Sequence, residues 1–239
     1  MATKTILSFL SEVSANNNRE WFNANREKYE EAKAEFERGV AELIAALAQI
    51  DPSVSHLTVK ECIYRFHRDT RFSPDKSPYK RHFGAYIAAK GKKALHGGYY
   101  LHLQPGNSFI ATGSYWLPTN ILTACRNEIM TNADEWLEAV ENDAFIDTFG
   151  LPGEAMGDYT EAGAMAPNGF GIARLRKAPK GFPCDSSLIE YLKMKDYCCW
   201  CSVDESLPGS DRWAESLVSR FAIAKPMMDF VNRVIDDYE

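Results

Sequence analysis

Residues 98–116 read Gly98-Tyr-Tyr-Leu-His-Leu-Gln-Pro-Gly-Asn-Ser-Phe-Ile-Ala-Thr-Gly-Ser-Tyr-Trp116. Two strand-like runs, 98–104 and 108–116, are joined there by Pro105-Gly106-Asn107. A third run, 82–89, precedes them and ends at a turn near Gly91. Connections this short favour antiparallel neighbours. Just upstream, Cys62, Tyr64 and Phe66 alternate with Ile63, Arg65 and His67, which predicts another strand with one apolar face. Ile172–Leu175 and Tyr197–Val203 are strand-like as well. The segment 68–80 holds Pro74 and Pro78 among turn-forming residues and reads as a loop.

Helical patterns flank these strands. Ile6, Leu7, Phe9, Leu10 and Val13 give a short amphipathic helix over 4–14. Asn17 and Glu20 have capping-box spacing, so a second helix is expected to run from there to Asp51-Pro52. Straight, it would be about 50 Å long, against a radius of gyration of about 18 Å for a domain of this size. A bend or break is therefore expected, with Gly39 as one candidate. Pro118 opens a helix to about Met130, Asn132 and Glu135 space another, and Asp185 can cap a short one to Met194. A final helix starts near Asp211, with Pro226 kinking or restarting it. Residues 150–171 are rich in Gly, Ala and Pro and read as an irregular excursion. The expected fold is α+β, one domain over 1–239, a mostly antiparallel sheet packed with helices from both termini.

Composition narrows the function classes. The 239 residues are 45% apolar and 25% charged, the profile of a globular domain. No apolar run approaches the roughly 20 residues of a membrane helix, and the N-terminus lacks a signal sequence, so a cytoplasmic location with no membrane partner is expected. In that compartment the six cysteines stay thiols. Residues 60–93 carry ten basic and three acidic side chains, net +7, inside a chain of net −6, so the remainder is −13. Such a local patch suits a small anion, whereas the acidic body repels long polyanions and disfavours nucleic acid.

The most concentrated chemistry lies in Tyr64-Arg-Phe-His-Arg-Asp-Thr-Arg-Phe-Ser-Pro-Asp-Lys-Ser-Pro-Tyr-Lys80. Arg65, Arg68 and Arg71, followed by Lys76, Tyr79 and Lys80, can converge planar and point charges on a carboxylate or phosphate. Asp69 or His67 could transfer a proton. The same residues also fit an Arg–Asp network that pins a long loop. A second basic turn, Lys177-Ala-Pro-Lys180-Gly181, is expected to meet the first within about 15 Å and add two cations. The histidine and cysteine spacings give no metal site, and no cofactor motif occurs. His102, among aromatics, reads as a hydrogen-bonded core residue, and Trp21, Tyr99, Tyr100, Tyr115 and Trp116 as core-packing aromatics that could instead stack a base or sugar.

Together with Asn16-Asn-Asn-Arg-Glu-Trp-Phe-Asn-Ala-Asn25, Gly98-Tyr-Tyr-Leu-His102 and Ala178-Pro-Lys-Gly-Phe182, that basic stretch resembles a mainly bacterial, also fungal, family catalogued as a conserved domain of unknown function. The resemblance covers essentially the whole chain and implies one domain. The expected function is binding of a small phosphorylated or carboxylated ligand on segment 65–80, with enzymatic turnover of it left open. A nucleic-acid module and a ligand-free partner-binding domain are the alternatives.

Overall fold

The computed structural model of the chain describes residues 1–153, 167–206 and 212–238. Its helices are α1 (Thr3–Ala15), α2 (Arg19–Ala24), α3 (Arg26–Leu47), α4 (Val59–Cys62), α5 (Thr119–Thr131), α6 (Ala133–Val140), α7 (Asp143–Phe149), α8 (Ile189–Leu192) and α9 (Trp213–Asp236). The strands are β1 (Phe83–Ile87), β2 (Gly98–Leu103), β3 (Phe109–Ser114), β4 (Asn168–Phe170) and β5 (Tyr197–Ser202). They form one sheet in the order β1-β2-β3-β5-β4, with β4 antiparallel to β5 through Gly169 opposite Trp200. The fold is thus α+β with helices on an antiparallel sheet, as the strand and helix periods predict.

The chain divides into two compact units, one made of Met1–Ile87, Tyr100–Phe109 and Val203–Val218, the other of Ala88–Tyr99, Ile110–Ser202 and Ser219–Glu239. The first has an aromatic core. Phe22 stacks on Tyr79 at 4.0 Å, Phe36 on Phe83 at 5.1 Å, and Phe66 lies 5.7 Å from Phe9. The second is centred on Trp136, wholly buried, with Phe230 at 5.2 Å and Tyr197 at 5.4 Å edge-on. Large rings in such contacts contribute both buried area and a specific geometry.

Several local expectations resolve differently. The long second helix breaks at Asn25, which ends α2 and starts α3, and not at Gly39. Gly39 lies buried inside α3, where a Cβ would run into the Met1 side chain. Its smallness serves packing. The cap of α2 is Asn18, whose side chain accepts from the Trp21 N–H, and not Asn17. Asn17 instead reaches 62 residues along the chain. Its amide nitrogen donates to the Tyr79 carbonyl at 2.9 Å, and its oxygen accepts from the Tyr79 N–H at 3.1 Å. One side chain thereby satisfies both backbone groups of a buried residue, as a neighbouring strand would. Asn17→Ala is expected to destabilise the protein by about 2 kcal/mol, because two backbone groups lose their partners together. A urea titration reads this as a lower midpoint at an unchanged slope.

The strand expected over residues 62–67 is also absent. Its start is α4, whose Glu61 carboxylate accepts from the Thr58 N–H at 2.8 Å and hydroxyl at 2.6 Å. Beyond it the chain is extended but makes only isolated pairings, Ile63 with Ala85 and His67 with Tyr79. The alternation is half real: Cys62 and Phe66 are buried, but Tyr64 is 40% exposed. Ile172–Leu175 likewise makes only one isolated pairing, Arg174 with Met194. α9 continues through Pro226 as one helix. Of the expected excursion at 150–171, residues 154–166 lie outside the described residues, as does Asp211.

Candidate functional site

The basic segment forms a braced loop in the first unit. The Arg68 N–H donates to the Pro78 carbonyl at 2.9 Å and the Lys80 N–H to the Phe66 carbonyl at 2.9 Å, closing its neck. Within it the Arg68 guanidinium, 11% exposed, pairs with Asp75 at 2.8 Å. The same group donates to the Ser77 carbonyl at 3.1 Å and the Ser73 hydroxyl at 3.3 Å. Arg71 grips Asp69 through two bonds of 2.9 and 2.6 Å, with Arg65 at 3.9 Å from the same carboxylate. Lys76 donates to the Thr70 carbonyl at 2.9 Å, and Arg81 lies 3.7 Å from Asp75. The Arg71 hydrogen bonds hold the Asp69 carboxyl down at about 2, and the Ser77 hydroxyl and N–H hold Asp75 at about 2. A base that weak is poorly matched to proton transfer near neutral pH. Tyr79 is 4% exposed and spends its ring on Phe22. His67 is exposed, with its ring centroid 5.1 Å from that of Tyr79 in an edge-on contact.

Lys177 and Lys180 belong to the second unit. Pro179–Phe182 is a tight turn closed by the Phe182 N–H donating to the Pro179 carbonyl at 3.1 Å. Gly181 has φ +91°, the left-handed value that this turn needs at its third position. The turn lifts Lys180 into solvent beside a cavity of about 590 Å³. Pro179 and Phe182 line that cavity with Leu117, Leu122, Ile172 and Leu175. Its charged groups are Arg126, Lys180, Lys195 and Asp196, Thr119 and Thr123 add hydroxyls, and its rim carries Tyr115 and Trp116, 56% and 77% exposed. Lys177 is exposed and does not line it.

Two of the polar groups are buried and shape the wall. Arg126, 5% exposed, donates from Nε to the Leu192 carbonyl at 2.7 Å and from Nη2 to the Met194 carbonyl at 2.9 Å. Asp196, 2% exposed, accepts from the Ile172 and Ala173 N–H groups at 2.9 Å each. Burial pushes its carboxyl up to about 6, and those backbone donors pull against the rise. Lys180 and Lys195 are exposed, and their ammonium groups have no ion-pair or hydrogen-bond partner among the described residues. Here lies the contrast with the arginine loop, whose charges are largely spent on its own carboxylates and carbonyls.

The sequence pointed to Lys180, but it read Tyr115 and Trp116 as core packing where both are more than half exposed, and it missed Arg126, Lys195 and Asp196. The available signals were a guanidinium on the apolar stripe Leu122–Ile129 of α5 and a Lys-Asp doublet at the threshold of a strand. Among the described residues, no three His, Cys, Asp or Glu side chains gather where they could hold a metal ion. None of the six cysteines is in a disulfide, and burial pushes the Cys125 thiol up to about 12.

A second polar cluster occupies the first unit. His82 and His102, 9% and 5% exposed, stack at 4.2 Å, with Phe109 at 4.5 Å on His102. His102 bonds Gln104 Oε1 through Nε2 at 3.1 Å and the Tyr100 hydroxyl through Nδ1 at 2.9 Å. The Gln104 oxygen selects the Nε2–H tautomer, so Nδ1 accepts from the phenol. His82 Nδ1 is buried without a hydrogen-bond partner among the described residues. Burial drives His82 down to about 2 and His102 to about 4, so both rings are neutral at pH 7.

Fold and cavity together define an α+β protein carrying a pocket of small-molecule size. The family model described as "Conserved hypothetical protein (DUF2461)" matches residues 5–230, and the chain belongs to that family. No curated protein and no solved structure matches it. None of the described helices is long and apolar enough to cross a membrane.

Proposed function

We propose that the protein binds a small anionic ligand in the pocket of its second unit, with Lys180 and Lys195 supplying the charge. The carrying observation is that these two ammonium groups are unpaired among the described residues and flank a largely apolar cavity of about 590 Å³. The anion-site reading drawn from the sequence is kept, but its centre moves from segment 65–80 to the Pro179–Phe182 turn.

Asp196 makes the binding depend on pH. The other ionisable side chains that line the pocket are Arg126, Lys180, Lys195 and Tyr115. Above about 6 it is a carboxylate that opposes an anion, and below about 6 it is neutral. Sulfate keeps its charge over this range, so it is the probe of choice. Calorimetry is expected to show sulfate binding tighter at pH 5 than at pH 7.5, with Asp196→Asn flattening the dependence. The double substitution Lys180→Ala and Lys195→Ala should weaken binding about 10- to 100-fold, the worth of a lost charge-assisted contact. Sulfate affinity that ignores both lysines would sink the reading.

A further inference from the structure

A small anion alone would leave most of this pocket without a purpose. Sulfate engages the lysines, but Leu117, Leu122, Ile172, Leu175 and Phe182 line a space several times larger than that ion. At the mouth stand two adjacent aromatic side chains, Tyr115 and Trp116, more than half exposed. Of the four other indoles, Trp136, Trp200 and Trp213 are each 3% exposed or less, and Trp21 is half-buried with its ring stacked on Phe9. A large ring left in water at the rim of an apolar cavity is the informative kind of exposed residue. It offers a flat face for which no protein partner is present among the described residues. Stacking on such a face is tolerant of which ring arrives but demands that the ring be planar.

From this juxtaposition of uncommitted cations, apolar wall and exposed indole we infer that the ligand is a mononucleotide. Its phosphate lies on Lys180 and Lys195 and its base stacks on Trp116. The inference rests on the anion-pocket reading and adds the ligand's second half to it. A single nucleotide fits a cavity of this size, and the net charge of −6 weighs against a long polyanion.

The test compares three probes on the full chain: sulfate, ribose 5-phosphate and adenosine 5′-monophosphate. Binding is followed by calorimetry and by quenching of tryptophan emission. Adenosine monophosphate is expected to bind at least about ten-fold tighter than ribose 5-phosphate, the worth of one stacked base. Trp116→Ala should remove that advantage and leave sulfate and ribose 5-phosphate unchanged, while Trp116→Phe should keep part of it. Equal affinity for the two phosphates, or an adenosine advantage that survives Trp116→Ala, overturns the nucleotide assignment and leaves the anion pocket standing. Binding of none of the three overturns both.

Discussion

Arg68→Ala is expected to lower the melting temperature by about 5–10 °C while leaving sulfate affinity unchanged. The guanidinium is 11% exposed and makes a 2.8 Å ion pair with Asp75, besides holding the Ser77 carbonyl. Asp75 is 45% exposed, which discounts the pair relative to a fully buried one. The remaining loss is about 2–3 kcal/mol, since the carbonyl, the Ser73 hydroxyl and the carboxylate all lose the same donor. In a chain of this length each kcal/mol is worth about 2–4 °C. Arg68→Lys should recover only part, because a compact ammonium cannot reproduce the planar fork whose separate nitrogens reach the Ser73 hydroxyl and the Asp75–Ser77 acceptors. The converse result, lost sulfate affinity at an unchanged melting temperature, would return Arg68 to the ligand site.

The second large effect is acid destabilisation through the stacked histidines. His82 and His102 are depressed in the folded protein to about 2 and about 4 from an ordinary 6.5. Below about 6.5 the unfolded chain therefore takes up two protons that the folded one refuses. Stability contributed by the pair is complete above that pH and falls as pH drops toward 4, by about 2.7 kcal/mol per pH unit for two protons. Asp196 has the opposite sign. Its folded value, about 6, lies above the ordinary 3.8, so it favours the folded state as pH falls between those values. Denaturant titrations from pH 7 to pH 4.5 should show falling stability in the parent chain. The slope should be shallower in His102→Gln and steeper in Asp196→Asn. A parent chain equally stable at both ends of that range would mean that the two rings are not held neutral.

Much of the sheet can be read directly from the chain because its strands are separated by strong punctuation. Gly91 and Gly106, both at positive φ, bound β2. The errors fall where one residue type serves two purposes. Asn17 and Asn18 are adjacent and chemically identical, and only the fold decides which caps a helix and which clamps Tyr79. Cys62 and Phe66 are both buried, but one ends α4 and the other lies in an extended segment without a ladder, and the exposed Tyr64 between them only completes a strand-like spacing. The candidate pocket was partly visible through the Pro-Lys-Gly turn. The rest was hidden because residues 115–126, 172–175 and 195–196 share a wall only after tertiary packing.

The Asn17 clamp has a consequence for synthesis. Its two ends are 62 residues apart, so the amide emerges long before the backbone it must grip. At about 5–20 residues per second, the N-terminal helices wait roughly 3–12 s for Tyr79 to be made. During that interval Phe22 lacks the Tyr79 ring it stacks on, and Phe9 lacks Phe83. Nascent chains stalled before residue 79 should therefore be the forms of this protein most in need of a chaperone.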